Sequence, residues 1–597
     1  MSKDKEILNH RFRELCAILV QEQNSEGFWD GKLSSSALST AIAMVALKLA
    51  GNIEDDLKIS SGYHWLKANV NDDGGFGDTP ESQSNVSTSL ICYAAVHYCQ
   101  PGGQETPLLK AIEAYLASQN ITLSPQTITS AILKFYGKDY TFSVPILSLL
   151  IICDVLPKEA ASHIPQLPFE LSLLPQRLYR FFNLQVVSYA IPALIGVGIF
   201  IHTTRKPKIG ATKYLRSKFV DPAIRQLTTL MPESGGFLEA IPLTGFVSMC
   251  LMASGKGDNI VVKKGLGFLT RQQREDGSWP IDTNLSTWVT TLAVKALGPQ
   301  LKSVLSTEKL SQLRNHLLSI QYKSKHPFNG AKAGGWGWTS FSGSVPDADD
   351  TPGAILALLE LFEGSGEEAA AIVFGCYWLV DLQNSDGGFP TFCKGWGKLP
   401  FDSSCADLTG HTLLAFVSTL DKFGDQLPVS FQKEIQVSAL KAAGYLQKHQ
   451  ASDGHWLPLW FGNQQTPGNK NPVYGTARVS VYLTDCLNKR FVKDDLKERL
   501  ITMNLSAQHY LLSQQNEDGS WGGQKNIQGT IEETSLAIST LVAQHPEVCA
   551  AGFDWLRRET GKNFKSSPIG LYFAALWYDE KMYPIVCYTE ALRRFLN

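Results

Sequence analysis

The sequence VPDADDTPGA, residues 345–354, places three carboxylates within four positions, at Asp347, Asp349 and Asp350. Close like charges repel each other, so in a site shielded from water at least one of the three is held in its protonated form. An apolar sequence follows the motif directly, which indicates that these groups lie beside packed protein. The motif therefore predicts a buried acid that can donate a proton.

A helix start is predicted directly after the three aspartates. Thr351 suits the N-cap position and Pro352 the first helical position, ahead of the apolar run GAILALLELF. The positive end of a helix attracts anions, so on residue types alone an acidic capping loop is the simpler explanation of the motif. A calcium loop fits badly, because Pro352 and Leu358 stand where an EF-hand has glycine and glutamate.

The composition is that of a globular protein with a large core. The chain has 597 residues, a net charge of -2 and 18% charged residues, which indicates about two to four domains. No stripe is rich in Lys and Arg, which argues against a nucleic-acid partner. The eleven cysteines are scattered without a C-x-x-C pair, so we expect reduced, mostly buried thiols rather than zinc, a redox centre or disulfides. The charged start MSKDKEILNHRFREL lacks the apolar core of a signal peptide, which predicts a cytoplasmic location.

Two apolar stretches raise the question of a membrane. VVSYAIPALIGVGIFI (186–201) is shorter than the roughly 20 residues that cross a bilayer. It also contains serine, tyrosine and proline, so a buried helix is the simpler interpretation. Together with VPILSLLIICDVL (144–156), it could instead form a surface that dips into one leaflet. Such a surface would suit a substrate dissolved in lipid.

One pattern recurs along the chain: an apolar helix, a glutamine, a short acidic turn with glycine, and an aromatic residue. Its copies are LVQEQNSEGFW (19–29), a degenerate LKANVNDDGGF (66–76), LTRQQREDGSW (269–279), LVDLQNSDGGF (379–389), LQKHQASDGHW (446–456) and LLSQQNEDGSW (511–521). The last three are about 65 residues apart, which suits one helical hairpin per repeat. The windows between copies have helical periodicity, so the protein should be nearly all helical. Stacked helix pairs can hide their ends by closing into a ring, and two rings can hold a pocket between them.

These repeats resemble the QW motifs of the class II terpene cyclases, and of squalene-hopene cyclases in particular, from about residue 20 to the C-terminus. The D-x-D-D-T sequence at 347–351 is similar to the acid motif of the same family. The resemblance implies an all-α fold of two α/α barrels, one inserted into the other, around a large apolar cavity. It places the inserted barrel at residues 16–284 and the catalytic barrel, with the acid motif, at 285–597. Residues 1–15 are expected to pack on the catalytic barrel.

The resemblance makes Asp349 the donor of a proton to an alkene, flanked by Asp347 and Asp350. Such chemistry needs a strong acid in a dry site, because water would take the proton and quench the cation. His411, in CADLTGHTLLAF, matches the family's histidine that contacts the central aspartate, and hydrogen bonds to the conjugate base strengthen an acid. Tyr474, in NPVYGTAR, resembles a tyrosine of the family thought to act in returning the proton.

Aromatic side chains are expected to line the cavity, because each aromatic face stabilises a cation by roughly 0.5–2 kcal/mol without trapping it. The residues that match cavity aromatics of the family are Trp288, Trp338, Phe392 and Trp460. The tail GLYFAALWYDEKMYP (570–584) resembles the family's C-terminal cavity segment and adds Tyr572, Trp577 and Tyr578. The resemblance implies no metal and no other cofactor.

Three departures from hopene-forming enzymes bear on the substrate. LSSSALSTAIA (33–43) lacks the Glu-rich helix that helps hold a terminating water, Phe392 replaces a tyrosine, and Pro352 replaces the usual alanine. They affect the middle and far end of the cavity more than the acid. Squalene is the first expectation for the substrate, and a shorter polyprenyl chain or a prenylated aromatic acid is the alternative. Protonation, ring closure, and loss of a proton or capture of water are common to all.

Three other functions stay open from the sequence. DDLKE (494–498) superficially resembles a magnesium motif of diphosphate-ionising enzymes, but its charged surroundings favour a solvated helix start. Asp402, Cys405 and His411 could form the zinc set of a protein prenyltransferase subunit, although His411 is already matched elsewhere. A non-enzymatic lipid-binding ring of helical repeats would use the aspartates only as helix caps.

The expected partners follow from the terpene cyclase interpretation. They are a lipophilic polyprenoid substrate, one membrane leaflet contacted peripherally, and a second copy of the chain in a homodimer. No nucleic-acid partner is expected. The protein would then be cytoplasmic or peripherally attached to a membrane.

Overall fold

The chain folds into helices joined by loops. The computed structural model describes residues 2–100, 106–136, 140–174, 191–205, 210–392, 394, 400–561, 563–571 and 576–597. Within these residues helices predominate, and strands are confined to two short antiparallel pairs. The prediction of a mostly helical protein is therefore confirmed.

The α-helices and strands of the described residues are numbered in chain order. The first helices are α1 Ser2–Glu22, α2 Ala37–Ala50, α3 Asp56–Ala68, α4 Val86–Cys99, α5 Pro107–Ser118, α6 Pro125–Tyr136, α7 Tyr140–Ile152, α8 Ile191–Thr204, α9 Gly210–Ser217, α10 Val220–Leu230, α11 Ile241–Ala253 and α12 Ile260–Gln272. The later helices are α13 Ser286–Leu297, α14 Leu301–Val304, α15 Thr307–Ser319, α16 Asp350–Leu361, α17 Gly366–Leu382, α18 Ala406–Phe423, α19 Val429–His449, α20 Pro472–Leu487, α21 Asp494–Ser513, α22 Ile531–Leu541, α23 Pro546–Glu559 and α24 Met582–Leu596. The strands are β1 Ser35–Ser36, β2 Trp279–Pro280, β3 Ile569–Leu571 and β4 Leu576–Tyr578.

The repeated sequence pattern forms a repeated turn. The glycine after the acidic residue has a positive φ, which is 93° at Gly387, 98° at Gly454 and 92° at Gly519. Glycine adopts this conformation without the steric cost that a side chain brings. The glutamine closes the turn: Gln383 Nε2 donates to the carbonyl of Gly387 at 2.8 Å, and the same bond recurs in four other copies.

The tryptophan of a repeat connects an outer helix to an inner one. Trp456 Nε1 donates to the carbonyl of Leu446 in α19 at 2.9 Å. The backbone N–H of Trp456 donates to Thr476 Oγ1 in α20 at 3.0 Å. The other tryptophans that make the same two kinds of bond are Trp29, Trp279, Trp336 and Trp521. Each repeat thus pairs buried N–H groups that would otherwise cost free energy.

Six helices of the C-terminal part pack one against the next, and the last packs against the first. α13 contacts α16, and the series continues through α18, α20, α22 and α24 back to α13. Around them pack α15, α17, α19, α21, α23 and α1. Their apolar side chains form one core cluster, which also includes Leu15 and Trp29 from the N-terminal part of the chain.

Five helices of the N-terminal part form a second series in which the last helix packs against the first. α2 contacts α4, and the series continues through α7, α8 and α11 back to α2. Their core cluster is separate from the first one and extends along the chain from Ala37 to Trp279. The β1–β2 pair, with Ser36 opposite Trp279, joins the beginning and the end of this part of the chain.

The start of the chain packs with the C-terminal helices. Leu19 and Trp29 lie in the first core cluster rather than in the second, and the helix α1 packs against α24. The division into an inserted barrel at 16–284 and a catalytic barrel at 285–597 stays a prediction.

Both apolar stretches of the sequence are core segments where the structure describes them. Residues 191–202 of α8 are all buried, and most of residues 144–156 are buried too. Residues 186–190 lie outside the described residues. Among the helices described, none combines the length and the apolar character needed to cross a bilayer. Contact with a membrane leaflet would therefore need other residues than these.

Candidate active site

The acid motif lies where a loop enters α16. Asp349 occupies the N-cap position and Asp350 is the first helical residue. Asp347 Oδ1 accepts the backbone N–H groups of Asp349 at 2.8 Å and of Asp350 at 2.7 Å. The prediction of Thr351 as the cap is therefore wrong, because the Asp347 carboxyl group already binds the free N–H groups of the first turn. The Thr351 hydroxyl instead accepts the backbone N–H of Trp336 at 3.0 Å.

The three carboxyl groups are shielded from water to different degrees. Asp347 and Asp350 are each 3% exposed, whereas the side chain of Asp349 is 18% exposed. Burial raises the pKa of Asp347 to about 8 and that of Asp349 to about 7. Burial, with repulsion from the other two aspartates, raises the pKa of Asp350 well above its usual range. At neutral pH the three groups together therefore retain protons, and Asp349 is the most accessible of them.

A buried cation faces the acid. The positive charge of Arg478 lowers the pKa of Asp349 and so opposes the effect of burial. Its guanidinium lies 5.4 Å from the ring centroid of Tyr474 and 5.8 Å from that of Trp288. Arg478 was not predicted from the sequence, although its position four residues after Tyr474, on the same helix face, was a usable signal.

Tyr474 lies beside this cation. Its hydroxyl accepts a hydrogen bond from Arg478 Nε at 3.1 Å, and its ring stacks on Phe461 with centroids 4.4 Å apart. Burial raises the pKa of Tyr474 well above its usual range. Its role in returning a proton stays a prediction.

The predicted histidine lies next to the acid. His411 Nδ1 is 3.6 Å from Asp349 Oδ1, which is beyond hydrogen-bond distance. Burial, and then the positive charges of Lys295 and Arg478, lower the pKa of His411 well below its usual value. The ring is therefore neutral. It stacks on Tyr482, with centroids 4.7 Å apart and planes inclined by 9°.

A further carboxyl group lies one helical turn before this histidine. Burial, and then the charge of Asp349, raise the pKa of Asp407 to about 7. The Cys405 thiol donates to Asp407 Oδ1. Asp407 was not predicted from the sequence, although its spacing of four residues from His411 puts both on one face of α18.

Neither rival metal motif gains support from the described residues. In this part of the chain, no group of three or more His, Cys, Asp or Glu side chains is arranged to hold a metal ion. The set of Asp402, Cys405 and His411 is therefore not brought together as a zinc site. Asp494 and Asp495 of DDLKE are exposed at the start of α21, which confirms the predicted solvated helix start.

An apolar cavity of about 270 Å³ borders Asp349. The predicted aromatic residues that line it are Trp288, Trp338, Phe392, Trp460 and Tyr578. The ring centroid of Phe392 is 6.0 Å from that of Trp338 and 5.9 Å from that of Trp460. Aromatic faces therefore surround the space next to the acid, where they can stabilise a cation.

The C-terminal hairpin supplies only part of the predicted lining. Leu576 and Tyr578 of β4 border the cavity, but the structure does not place Trp577 there, contrary to the prediction. Successive side chains of a strand point to opposite faces, so Trp577 is directed away from the cavity. It is buried elsewhere, and its backbone N–H donates to Asp78 Oδ2 at 2.8 Å. Tyr572 lies outside the described residues.

Several lining residues were not predicted from the sequence. They are Asp282, Thr391, Phe401, Phe461 and Tyr583, with six apolar residues. The ring centroids of Phe401 and Trp460 are 5.1 Å apart. Phe461 and Thr391 are chain neighbours of the predicted Trp460 and Phe392, and Tyr583 lies in the segment 570–584 that was predicted to reach the cavity. Asp282 and Phe401 come from segments between α-helices that carried no such signal.

A second cavity, of about 410 Å³, borders the other side of the site at His411. Its lining is charged and includes Lys295, Asp485 and Arg594. Lys295 Nζ lies 3.6 Å from Glu590 Oε1. Burial lowers the pKa of Lys295 to about 8. His411 thus lies between Asp349 on one side and this charged cavity on the other.

Two family models match the chain. The squalene-hopene cyclase N-terminal domain matches residues 13–147, and the squalene-hopene cyclase C-terminal domain matches residues 284–544. Together they cover more than half of the chain, and the second match contains the acid motif, His411 and Tyr474. The chain belongs to the class II terpene cyclases, within the squalene-hopene cyclase family.

Individual relatives are distant. The squalene-hopene cyclase of Bradyrhizobium diazoefficiens is 22% identical, and the match covers 93% of this chain and 89% of the relative. The enfumafungin synthase of Hormonema carpetanum is 25% identical, and the match covers 51% of this chain and 23% of the relative. The chain thus spans about a quarter of the length of that relative. A variant of the type II terpene cyclase MstE from Scytonema, solved with geranylgeranyl dihydroxybenzoate, is 15% identical. The match covers 52% of this chain and 88% of that chain, with a TM-score of 0.37.

Proposed function

We propose that the protein is a protonation-initiated terpene cyclase, which acts on the terminal alkene of a linear polyprenoid and closes rings through carbocations. One observation carries the proposal. Asp349 is an acid with a raised pKa, and it borders an apolar cavity lined by aromatic rings. Such a site favours protonation of an alkene, because little water is present to take the proton.

Asp349 starts the proposed reaction. The π electrons of the terminal alkene take its proton, a C–H bond forms, and the adjacent carbon becomes a tertiary cation. The electron pair of the broken O–H bond stays on the carboxylate, which the positive charge of Arg478 stabilises. His411 Nδ1 has no hydrogen-bond partner in the described part of the chain. A small shift lets its neutral ring, in the tautomer protonated on Nδ1, donate to the new carboxylate.

The aromatic cavity acts after protonation. Each further alkene attacks the cation with its π electrons, which forms a ring bond and moves the positive charge along the chain. Trp288, Phe392 and Trp460 line the space in which the charge moves. The sequence ends when the last cation loses a proton or takes up water. The two closed groups of helices support the inference of two α/α barrels that enclose this space.

Squalene is the first substrate to test, because the family model that contains the acid motif is that of squalene-hopene cyclases. A shorter polyprenyl chain or a prenylated aromatic acid is the second candidate, because Phe392 of the cavity lining replaces a tyrosine of the hopene-forming enzymes.

Peripheral contact with one membrane leaflet is part of the proposal, because the substrate is lipophilic. The short helix α9 exposes Tyr214 and Leu215, which are 67% and 58% exposed. Lys213 and Lys218 lie close to them in the chain. Exposed apolar and basic side chains together suit a membrane interface. In liposome co-sedimentation we expect replacement of Tyr214 and Leu215 by serine to reduce the bound fraction; equal binding would exclude this surface.

Product analysis tests the proposed function. Detergent-solubilised protein is incubated with a chelator and with squalene, a shorter polyprene or a prenylated hydroxybenzoic acid, and the products are identified by gas chromatography and mass spectrometry. We expect a cyclic product that is isomeric with its substrate or hydrated. Asp349→Asn keeps the size of the side chain but removes the acid, and should abolish this product.

The matched control is Asp495→Asn, at an exposed aspartate of the DDLKE sequence. We expect it to retain the wild-type rate. Cyclisation by Asp349→Asn, or loss of activity in Asp495→Asn and with chelator, would contradict the proposal. No conversion of any of these substrates by the wild type would favour a lipid-binding ring instead.

A further inference from the structure

Besides the three aspartates of the acid motif, the cavity is lined by Asp282, which has no part in the mechanism above. Asp282 follows β2, and its backbone pairs with Ala240 in an antiparallel bridge. Its side chain borders the same cavity as Asp349. Burial raises the pKa of Asp282, and the Trp338 indole N–H and the backbone N–H groups of Thr283 and Asn284 lie close enough to its carboxyl group to oppose that effect. A carboxyl group in such an apolar wall calls for a function.

Two buried polar atoms of this wall lack a hydrogen bond of good geometry. Within the residues that the structure describes, Asp282 Oδ1 and Trp338 Nε1 lie near each other, but neither has a contact with the full distance and angle of a hydrogen bond. A buried polar group left unsatisfied costs about 1–3 kcal/mol. The carboxyl oxygen is an acceptor and the indole N–H is a donor. A single hydroxyl group satisfies both, since it can accept from the indole and donate to the carboxyl oxygen.

The backbone that carries Asp282 is fixed by Glu239. The carbonyl of Glu239 accepts the backbone N–H of Thr283 at 3.2 Å. The Glu239 carboxylate is itself engaged, since it accepts Ser234 Oγ at 2.6 Å and Gly343 N at 2.7 Å. The φ of Glu239 is 54°, a strained value of a kind that clusters at ligand-binding and active sites. Asp282 is therefore held in place before any ligand arrives.

The surroundings give the two cavity acids different roles. Arg478 favours the carboxylate form of Asp349, as a proton donor requires. Burial, and then the negative charge of Glu239, raise the pKa of Asp282 well above its usual range. The surroundings thus favour the neutral form of Asp282. A neutral carboxyl group can bind a hydroxyl group, because it has one O–H donor and an acceptor oxygen.

The two acids border one continuous space. Besides burial, the charges of Asp349 and Asp282 both raise the pKa of Tyr578, so this phenol lies within electrostatic range of both carboxyl groups. A hydroxyl group bound at Asp282 is therefore in the cavity where the carbon chain cyclises.

We propose that Asp282 and Trp338 form a hydroxyl-binding subsite in the wall of the cyclisation cavity. The proposal rests on the function proposed above and adds a polar group to its ligand. The hydroxyl belongs either to the head group of the polyprenoid, as in a prenylated phenol, or to a water molecule that ends the reaction. In the second case a lone pair of the water oxygen forms a C–O bond with the last cation, and the proton released restores the Asp349 acid.

Three variants test the subsite in turnover. Asp282→Leu removes both carboxyl oxygens, Trp338→Phe removes only the N–H donor, and Asp282→Asn keeps an acceptor oxygen as the conservative control. Circular dichroism confirms that each variant is folded. The substrates are a geranylgeranyl phenol, its O-methyl ether and squalene, in water labelled with oxygen-18.

The two sources of the hydroxyl give different results. If the head group is the source, the ratio of KM for the phenol to KM for the ether rises about tenfold in Asp282→Leu and Trp338→Phe, as for the loss of about 1.4 kcal/mol. If water is the source, the oxygen-18 fraction of the product falls by a similar factor and alkene products replace the alcohol. In both cases Asp282→Asn restores most of the wild-type behaviour.

A binding experiment separates this proposal from the proposed function. Isothermal titration calorimetry measures Kd for the phenol and for its ether in protein that carries Asp349→Asn, with and without Asp282→Leu. A preference for the phenol that depends on Asp282 supports the subsite even if the wild type converts no substrate. The subsite is overturned if Asp282→Leu and Trp338→Phe change neither the ratio of phenol to ether affinity nor the oxygen-18 fraction.

Discussion

The Nδ1 atom of His411 lies 3.6 Å from Oδ1 of Asp349, and the His411 ring is held in this position by its stack on Tyr482. Burial keeps the ring neutral. A neutral imidazole at this distance leaves the proton on the acid in the resting state. It can then approach the carboxylate once the proton has gone.

Replacement of His411 by phenylalanine should slow cyclisation without weakening substrate binding. The new carboxylate loses a hydrogen bond worth about 1.5–3 kcal/mol, so we expect kcat to fall about 10- to 150-fold. Steady-state kinetics would show KM nearly unchanged. The matched control is His316→Phe, which removes another neutral histidine, one that stacks on Phe28 at 3.7 Å and lies outside the cavity. An equal loss in both variants would contradict a specific role of His411.

The rate of cyclisation should fall as the pH rises through the pKa of Asp349, because only the protonated acid donates. That pKa is about 7, and the positive charge of Arg478 lowers it. In Arg478→Gln we therefore expect the alkaline limb of the pH–rate profile to move to higher pH and the maximal rate to fall. The exposed Arg490 supplies the control variant Arg490→Gln. A shift of the limb to lower pH would show that Arg478 does not act on the acid.

Asp349→Asn should stabilise the protein at alkaline pH. The folded-state pKa of about 7 lies above the usual 3.8, so between these values the folded state binds a proton that the unfolded state has lost. The free energy of unfolding therefore falls as the pH rises through this window, by about 2–4 kcal/mol for this group. Urea unfolding at pH 5 and at pH 8 measures the change. The fall should be smaller in Asp349→Asn, and an unchanged fall would mean that Asp349 does not bind that proton.

Much of the site was predictable because its residues belong to short local patterns. The three aspartates lie within the four residues 347–350, and His411 lies in the short sequence DLTGH. Short motifs of this kind can be recognised before the fold is known. The aromatic residues Trp288 and Trp460 follow recognisable repeats, and both line the cavity. Helix spacing also carried an unused signal for Arg478.

The remainder depends on tertiary structure that no local pattern encodes. The prediction for Trp577 was wrong because its segment forms a β-hairpin, in which successive side chains point to opposite faces. The sequence shows the aromatic residues but not the face on which each one lies. Asp282 stands in WPIDTNL, which has the composition of an ordinary loop. Only the packing of that loop against the segment around Glu239 brings its carboxyl group to the cavity.

The repeated turns should be intolerant of a side chain at their glycine. A Cβ at Gly387 would lie 2.5 Å from the carbonyl oxygen of Lys441, at a φ of 93°. Gly364 has a similar φ of 101° but open space around it, so Gly364→Ala reports the backbone strain alone. That strain costs about 1–3 kcal/mol, and the clash in Gly387→Ala adds about 1–3 kcal/mol more. Thermal unfolding should therefore show a lower midpoint for Gly387→Ala, and equal midpoints would contradict the close packing of the turn.

The central claim is that Asp349 delivers the proton that starts cyclisation, and deuterium labelling tests it most directly. In D₂O the acid exchanges its proton with solvent, so each product molecule should carry one deuterium at the former terminal alkene carbon, located by mass spectrometry and NMR. Asp349→Asn should form no labelled product. A cyclic product without deuterium at that carbon, or labelled product formed by Asp349→Asn at the wild-type rate, would contradict the mechanism.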